Sequence, residues 1–249
     1  MYGKTIRLRR LFPTPGRRLF SVPLDHALSM GPIDGLEELA PLARELVEGG
    51  ADLLIVTKGA VRELAPALGP STLLGVHVSA STSLGPTSQH KRLVGTAAEA
   101  VGLGADLLSV QVNFGVPEEG DMLTDLGSAA DQCRQLGLPL LCMAYVKKTG
   151  GGSPDELRHA ARSAAELGAD VVKTSYPGSV EEFRKLCRTT PVPVLIGGGV
   201  RLDDEGAFLR LVEESIGAGG AGICIGRNLF QRRPVGPLAR RVANLLHGA

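Results

Sequence analysis

The chain has 249 residues, enough for one large α/β domain or two small ones. Hydrophobic content of 43% and charged content of 21% are those of an ordinary globular protein, and 27 Lys+Arg against 26 Asp+Glu leave a formal net charge of +1. That balance argues against nucleic acid or an anionic membrane as partner, and local basic pairs such as Arg17-Arg18 and Arg232-Arg233 read as solvated surface charge.

Residues 1–17 form a basic extension without the apolar core of a signal segment, and no apolar run is long enough to span a bilayer. The cysteines Cys133, Cys142, Cys187 and Cys224 form no Cys-x-x-Cys, so a reduced, cytoplasmic chain with structural thiols is expected. The extension is expected to act as a cap or subunit contact, with a single domain over 1–249 whose barrel begins at about 18.

The first strand is read at Leu19–Leu24. A repeat then organises the chain: Gly50-Ala51-Asp52, Gly104-Ala105-Asp106 and Gly168-Ala169-Asp170 each end a helical stretch and open a leucine- or β-branched run, and Gly220-Ala221-Gly222 is a degraded fourth copy. Between these lie further strands at Leu73–Val78, Leu138–Tyr145 and Val192–Ile196. Helices are expected at 35–48, 96–103, 128–136, 154–167, 180–187, 203–216 and 237–246. Eight strands alternating with helices predict a (β/α)8 TIM barrel. A doubly wound open sheet is the alternative, but no Gly-x-Gly-x-x-Gly follows the first strand.

Chemistry in a barrel collects at the C-terminal strand ends. The sixth strand, Asp170–Val172, leads into Lys173. A buried ammonium is costly unless it is paired or neutral, and a neutral amine can attack a ketone to form a Schiff base; the plainer reading is a lysine whose head reaches water. The first strand ends in Asp25-His26, a proton carrier or a helix cap. The second ends in Thr57-Lys58, a second candidate amine. The third leads into a hydroxyl-rich loop containing Ser81, suited to a polyol or an aldehyde. The fourth ends in Asn113. The fifth ends in Tyr145, a general acid or a packing residue, followed by Lys147. The last two strands end in Gly197-Gly198-Gly199 and Gly226-Arg227, where glycine amides and a guanidinium can hold a phosphate.

These segments resemble the archaeal-type class I fructose-bisphosphate aldolases and their sister enzymes, the 2-amino-3,7-dideoxy-D-threo-hept-6-ulosonate synthases. The resemblance runs over nearly all of the barrel and rests on 22–32, 78–86, 109–115, 168–176 and the two glycine loops; the first two stretches are nearer the synthase branch. It implies Lys173 as Schiff-base lysine, Asp25 as the catalytic aspartate, Tyr145 as the acid, and Gly198, Gly199, Gly226 and Arg227 as phosphate ligands. His26, Lys58, Ser81, Asn113 and Lys147 complete the expected substrate-binding set.

The activity implied joins a ketose phosphate such as dihydroxyacetone phosphate to an aldehyde, L-aspartate semialdehyde, giving an amino-heptulosonate product for aromatic biosynthesis. No cofactor and no metal are expected: the five histidines show no ligand spacing, although His26 and His77 can meet across a barrel. A homo-oligomer is expected. Fructose-bisphosphate aldolase is the alternative activity, and a non-catalytic sugar-phosphate-binding barrel the alternative class. One departure stands out: the family usually has Pro-Arg-Gly after the tyrosine, and here the chain reads Val146-Lys147-Lys148-Thr149.

Overall fold

A computed structural model describes residues 2–248. Its eight parallel strands are β1 (Leu19–Pro23), β2 (Leu53–Thr57), β3 (Leu73–His77), β4 (Leu107–Phe114), β5 (Leu140–Val146), β6 (Val171–Ser175), β7 (Val194–Gly197) and β8 (Gly222–Cys224). They close into a barrel, with each strand beside its sequence neighbours and β8 against β1. All eight were legible in the sequence. The fourth strand is longer than expected and runs through Asn113 to Phe114.

Strand alternation sorts the side chains into two cores. Leu19, Leu53, Leu107, Leu141, Val171 and Leu195 point inward and fill the barrel. Their neighbours, among them Phe20, Leu54, Leu108, Cys142 and Val172, point outward and pack under the helices. This alternation puts Lys173 inside, one step above Val171 on the same strand. The strand does not end at Val172 but continues to Ser175, so Lys173 lies within it.

Helices cover the outside. The one after β5, Pro154–Glu166, begins with a capping box in which Ser153 accepts the Glu156 N–H and Glu156 accepts the Ser153 N–H. The first outer helix starts at Leu39 rather than at 35. Gly35 has a φ of +90°, and a Cβ there would lie 2.1 Å from the Phe230 carbonyl oxygen, so close backbone approach replaces the helical turn. A short hairpin, Ser79–Ala80 with Arg92–Leu93, and a short helix, His26–Met30, arise over the barrel mouth where the sequence showed only loops.

The repeated aspartates serve the opposite end. Asp52, Asp106 and Asp170 each donate their backbone N–H to a neighbouring-strand carbonyl, that of Phe20, Leu74 and Leu140 respectively. Each carboxylate accepts the N–H of that same residue. The remaining capacity of the carboxylates holds the N-terminal extension: Arg17 bonds Asp52, Arg10 bonds Asp106, and Lys4 bonds Asp170. The extension folds as the helix Tyr2–Leu11, and Leu8, Leu11 and Phe12 pack against the inner core. It closes the barrel floor. The fourth repeat has Gly222 because a Cβ there would lie 2.2 Å from the Leu19 carbonyl oxygen.

Candidate active site

The open end of the barrel holds a cavity of about 450 Å³. Lys173 enters it from β6 and is 5% exposed. Its Nζ lies 3.8 Å from the Met143 sulfur and 5.7 Å from the centre of the Tyr145 ring. Gly197 makes this crowding possible, since a Cβ at that position would lie 3.3 Å from Lys173 Cε and 3.5 Å from Tyr145 Oη.

Asp25 follows β1. It precedes the short helix His26–Met30 but makes no capping bond with its side chain, which leaves the carboxylate to the cavity. One oxygen lies 3.4 Å from His26 Nδ1 and the other 3.7 Å from His77 Nδ1. His77 Nδ1 is also 3.0 Å from Ser109 Oγ. Burial pushes the pKa of both imidazoles down, that of His26 to about 4, so both are neutral at ordinary pH.

Burial works against the Asp25 charge, but His77, His26 and Lys173 outweigh it and hold the carboxyl below its usual range. With both imidazoles neutral, Lys173 is the cation that keeps Asp25 ionised. Burial likewise works against the Lys173 ammonium; the charges of Cys224, Tyr145 and Asp25 reverse that and raise its pKa. Burial also raises the Cys224 thiol and the Tyr145 phenol, so both are protonated near neutrality and Asp25 is the anion facing Lys173. The resting lysine is paired rather than neutral.

On the far wall, Gly198 and Gly199 end β7, and Gly226 and Arg227 follow β8. Asn228 locks these loops together. Its Nδ2 donates to the Gly198 and Val200 carbonyls at 3.0 and 3.1 Å, and its Oδ1 accepts the Leu202 N–H at 2.8 Å. A Cβ on Gly226 would lie 2.7 Å from the Pro23 carbonyl oxygen and 2.8 Å from His26 Cε1, so only glycine lets the loop settle here. Arg227 is half-buried, and its Nε is buried without a partner among the described residues.

The structure thus brings together Lys173, Asp25, Tyr145, His26, Lys147 and Arg227 with the three glycines. Three expected residues fall elsewhere. Lys58 starts a 3-10 turn after β2 and pairs at 3.1 Å with Glu99, outside the cavity. Ser81 Oγ is spent on the Ser88 carbonyl, while Ser83 and Ser88 of the same loop line the cavity. Asn113 is fully buried and donates to the Gln89 carbonyl at 2.6 Å; it supports the loop instead of facing the cavity. After Tyr145, Lys148 turns away to Glu156 at 2.5 Å and Lys147 faces the cavity, 5.3 Å from the Tyr145 ring centre. The altered loop therefore still delivers one cation. Sequence reading missed Asn228 as a loop lock, His77 as a partner of Asp25, and Lys91, which lines the cavity from the hydroxyl-rich loop.

Fold and cavity define a lysine-dependent aldolase of the TIM-barrel type. The family model described as "DeoC/LacD family aldolase" matches residues 19–232, and the chain belongs to that family. A 2-amino-4,5-dihydroxy-6-oxo-7-(phosphonooxy)heptanoate synthase of Streptomyces griseus is 37% identical over all of this chain and 92% of its own length. A 2-amino-3,7-dideoxy-D-threo-hept-6-ulosonate synthase of Halobacterium salinarum is 38% identical over 98% of this chain and 92% of its own. Among solved structures, an archaeal fructose 1,6-bisphosphate aldolase superposes with a TM-score of 0.90 at 28% identity, covering 99% of this chain and 100% of that one. Another, an archaeal fructose-1,6-bisphosphate aldolase with its catalytic lysine covalently bound to the carbinolamine intermediate of the substrate, superposes at 0.87 with 27% identity, covering 98% of this chain and 99% of that one.

Proposed function

We propose that this chain joins a ketose-phosphate donor, dihydroxyacetone phosphate or a close relative, to L-aspartate semialdehyde through a Schiff base on Lys173. The observation that carries this reading is the placement of a buried lysine, a carboxylate, a phenol and an anion cradle around one cavity. The names of the Streptomyces and Halobacterium relatives support the heptulosonate-type product and, with it, a place in aromatic biosynthesis.

The donor phosphate seats on the amides after β7 and β8 and on Arg227. The Lys173 ammonium releases a proton to solvent, and the free amine attacks the donor ketone. Tyr145, kept protonated by burial, supplies the acid that helps expel water from the carbinolamine. Asp25, held ionised, removes the proton from the carbon beside the iminium, giving an enamine. That carbon bonds to the aldehyde, whose oxygen takes the proton Asp25 had removed; water then adds to the iminium, returning a proton to the Tyr145 phenolate, and collapse of this carbinolamine releases the product ketone and the Lys173 amine.

Borohydride in the presence of dihydroxyacetone phosphate tests the step: the reduced adduct should map to Lys173 and vanish in Lys173→Met. No adduct, or an adduct on another lysine, rejects the reading. The chemistry as read needs no metal; full activity after exhaustive EDTA treatment checks this, and dependence on added metal ions contradicts it.

Fructose-bisphosphate aldolase is the second reading, favoured by the backbone likeness to the archaeal enzymes. Comparison of acceptors with one donor separates the two. The reduced thiols suit a cytoplasmic setting, and among the described residues no helix is long and apolar enough to cross a membrane. Tyr2 and Ile6 are exposed on the N-terminal helix, which supports self-association into a homo-oligomer, measurable by sedimentation velocity.

A further inference from the structure

The walls of the cavity carry Lys91, Lys147, Lys173 and Arg227 against one carboxylate, Asp25. Lys173 faces that carboxylate, and Arg227 belongs to the anion cradle. Lys91 is left over. It is 7% exposed, and its Nζ donates to Ser29 Oγ at 2.7 Å. No carboxylate among the described residues lies within ion-pair distance of it. A buried ammonium whose one hydrogen-bond partner is a hydroxyl, with Asp25 acting on it only from beyond ion-pair distance and Lys147 opposing, is a costly arrangement in a bare fold.

Its position is built rather than accidental. Lys91 immediately precedes the Arg92–Leu93 strand of the mouth hairpin, and its backbone N–H points to the Met122 sulfur at 3.4 Å. Asn113 grips Gln89 two residues earlier, and the Lys91 head reaches over the cavity to the His26–Met30 helix. Lys91 comes from the loop after β3 and Arg227 from the loop after β8. In the order β3-β2-β1-β8 these lie three strands apart around the mouth, with the β6 lysine on the remaining arc.

We infer that Lys91, with Ser29, is the specificity-determining site for an anionic group on the acceptor aldehyde, so that the cavity takes a donor phosphate at Arg227 and a second anion at Lys91. The inference rests on the aldolase reading for the word acceptor, but the second anion site stands on the geometry alone. A phosphate dianion at the glycine loops leaves positive charge unmatched on the Lys91 side. A carboxylate fits that remainder: it accepts from the ammonium with one oxygen and from the serine hydroxyl with the other, once Ser29 turns its proton outward. Burial depresses the Lys91 pKa, and an arriving anion opposes that effect.

The test uses dihydroxyacetone phosphate with aspartate semialdehyde, glyceraldehyde 3-phosphate and uncharged glyceraldehyde as acceptors. In Lys91→Met the ratio of kcat/KM for an anionic acceptor to that for glyceraldehyde should fall about 10- to 100-fold, the range of a charge-assisted hydrogen bond, chiefly through KM. Lys91→Arg should recover most of it. A selective loss with either anionic acceptor supports the site and tells carboxylate from phosphate; equal losses for charged and uncharged acceptors, or none, overturn it.

A second arm needs no turnover. Ligand-observed NMR should find 2-aminobutyrate, the semialdehyde without its aldehyde oxygen, weakened about tenfold or more by Lys91→Met, with inorganic phosphate weakened instead by Arg227→Met. Loss of both ligands to the same variant, or of 2-aminobutyrate to neither, rejects the Lys91 site. Failure of the borohydride adduct on Lys173 rejects the aldolase reading and leaves this binding result to judge Lys91.

Discussion

Lys4 Nζ sits 2.8 Å from Asp170 Oδ2, and Asp170 stands three residues before Lys173. The N-terminal helix is thereby tied to the strand that carries Lys173. Asp170 also accepts the Leu140 N–H at 2.9 Å, so its carboxylate joins helix, β5 and β6 at one point. Asp170→Ala orphans that amide and should cost about 1–3 kcal/mol. Lys4→Ala removes only a partly exposed ion pair and should cost about 1 kcal/mol or less. Urea unfolding of the two variants checks the order; equal losses would mean that the ion pair, and not the strand bond, is the main tie.

His26 gives the stability a predictable acid limb. Its pKa is 6.5 in the unfolded chain and about 4 in the fold, where burial disfavours the imidazolium. Between these values the unfolded chain binds a proton that the folded one refuses, so stability falls as pH drops from about 6.5 to about 4. The full contribution is of order 3 kcal/mol, at 1.36 kcal/mol per unit. His26→Gln should flatten the plot of unfolding free energy against pH in that window. A slope unchanged from the wild type would show that His26 is not the titrating group.

Tyr145→Phe should lower kcat by about 10²- to 10³-fold, the usual worth of a placed acid. Stopped-flow imine formation should slow in parallel while donor affinity holds, because the lost hydroxyl serves dehydration. Since burial raises the phenol pKa, the wild-type rate should not decline through Tyr145 ionisation in the ordinary alkaline range. A variant with slowed turnover but normal imine formation places the tyrosine in a later step.

Gly226→Ala forces a methyl against Pro23, His26 and Phe230 and should cost about 1–3 kcal/mol. Donor KM should rise with it, because the same backbone carries the Arg227 amide. Gly217→Ala, whose added carbon meets nothing within 4 Å, is the control and should leave both quantities within error.

The fold was legible because strand periodicity and the Gly-Ala-Asp repeat are local signals. The site was legible in part. Lys173 announced itself as a charge inside an apolar run, and the glycine loops as a cluster at adjacent strand ends. Lys58 looked equivalent at a strand end, but the turn after β2 swings it to Glu99, and only the backbone path decides that. Lys91 and Asn228 were invisible for the opposite reason. Each sits in an unremarkable loop or short helix, and each acquires its role from a partner far away in the chain: Ser29, 62 residues off, and Gly198, 30 residues off.

The fourth repeat, which has glycine where the others have aspartate, leaves β8 without the carboxylate clasp that ties β2 to β1, β4 to β3 and β6 to β5. β8 has three residues and registers with three of β1 and two of β7, whereas β4 and β5 share seven pairs. The β7–β8 seam therefore has no carboxylate clasp, and β8 has no link to the floor helix at Gly222. Amide exchange at Ala221 and Ile225, whose N–H groups bond to Val194 and Ser21 on either side of β8, should report a shallow opening, and exchange in β4 and β5 the global one. β8 leads into Arg227, which lies between the Gly198–Gly199 loop after β7 and Asp25 after β1. A breath at β8 would part Asp25 from Arg227 while Lys173 stays seated. Turnover would then be lost before the fold is.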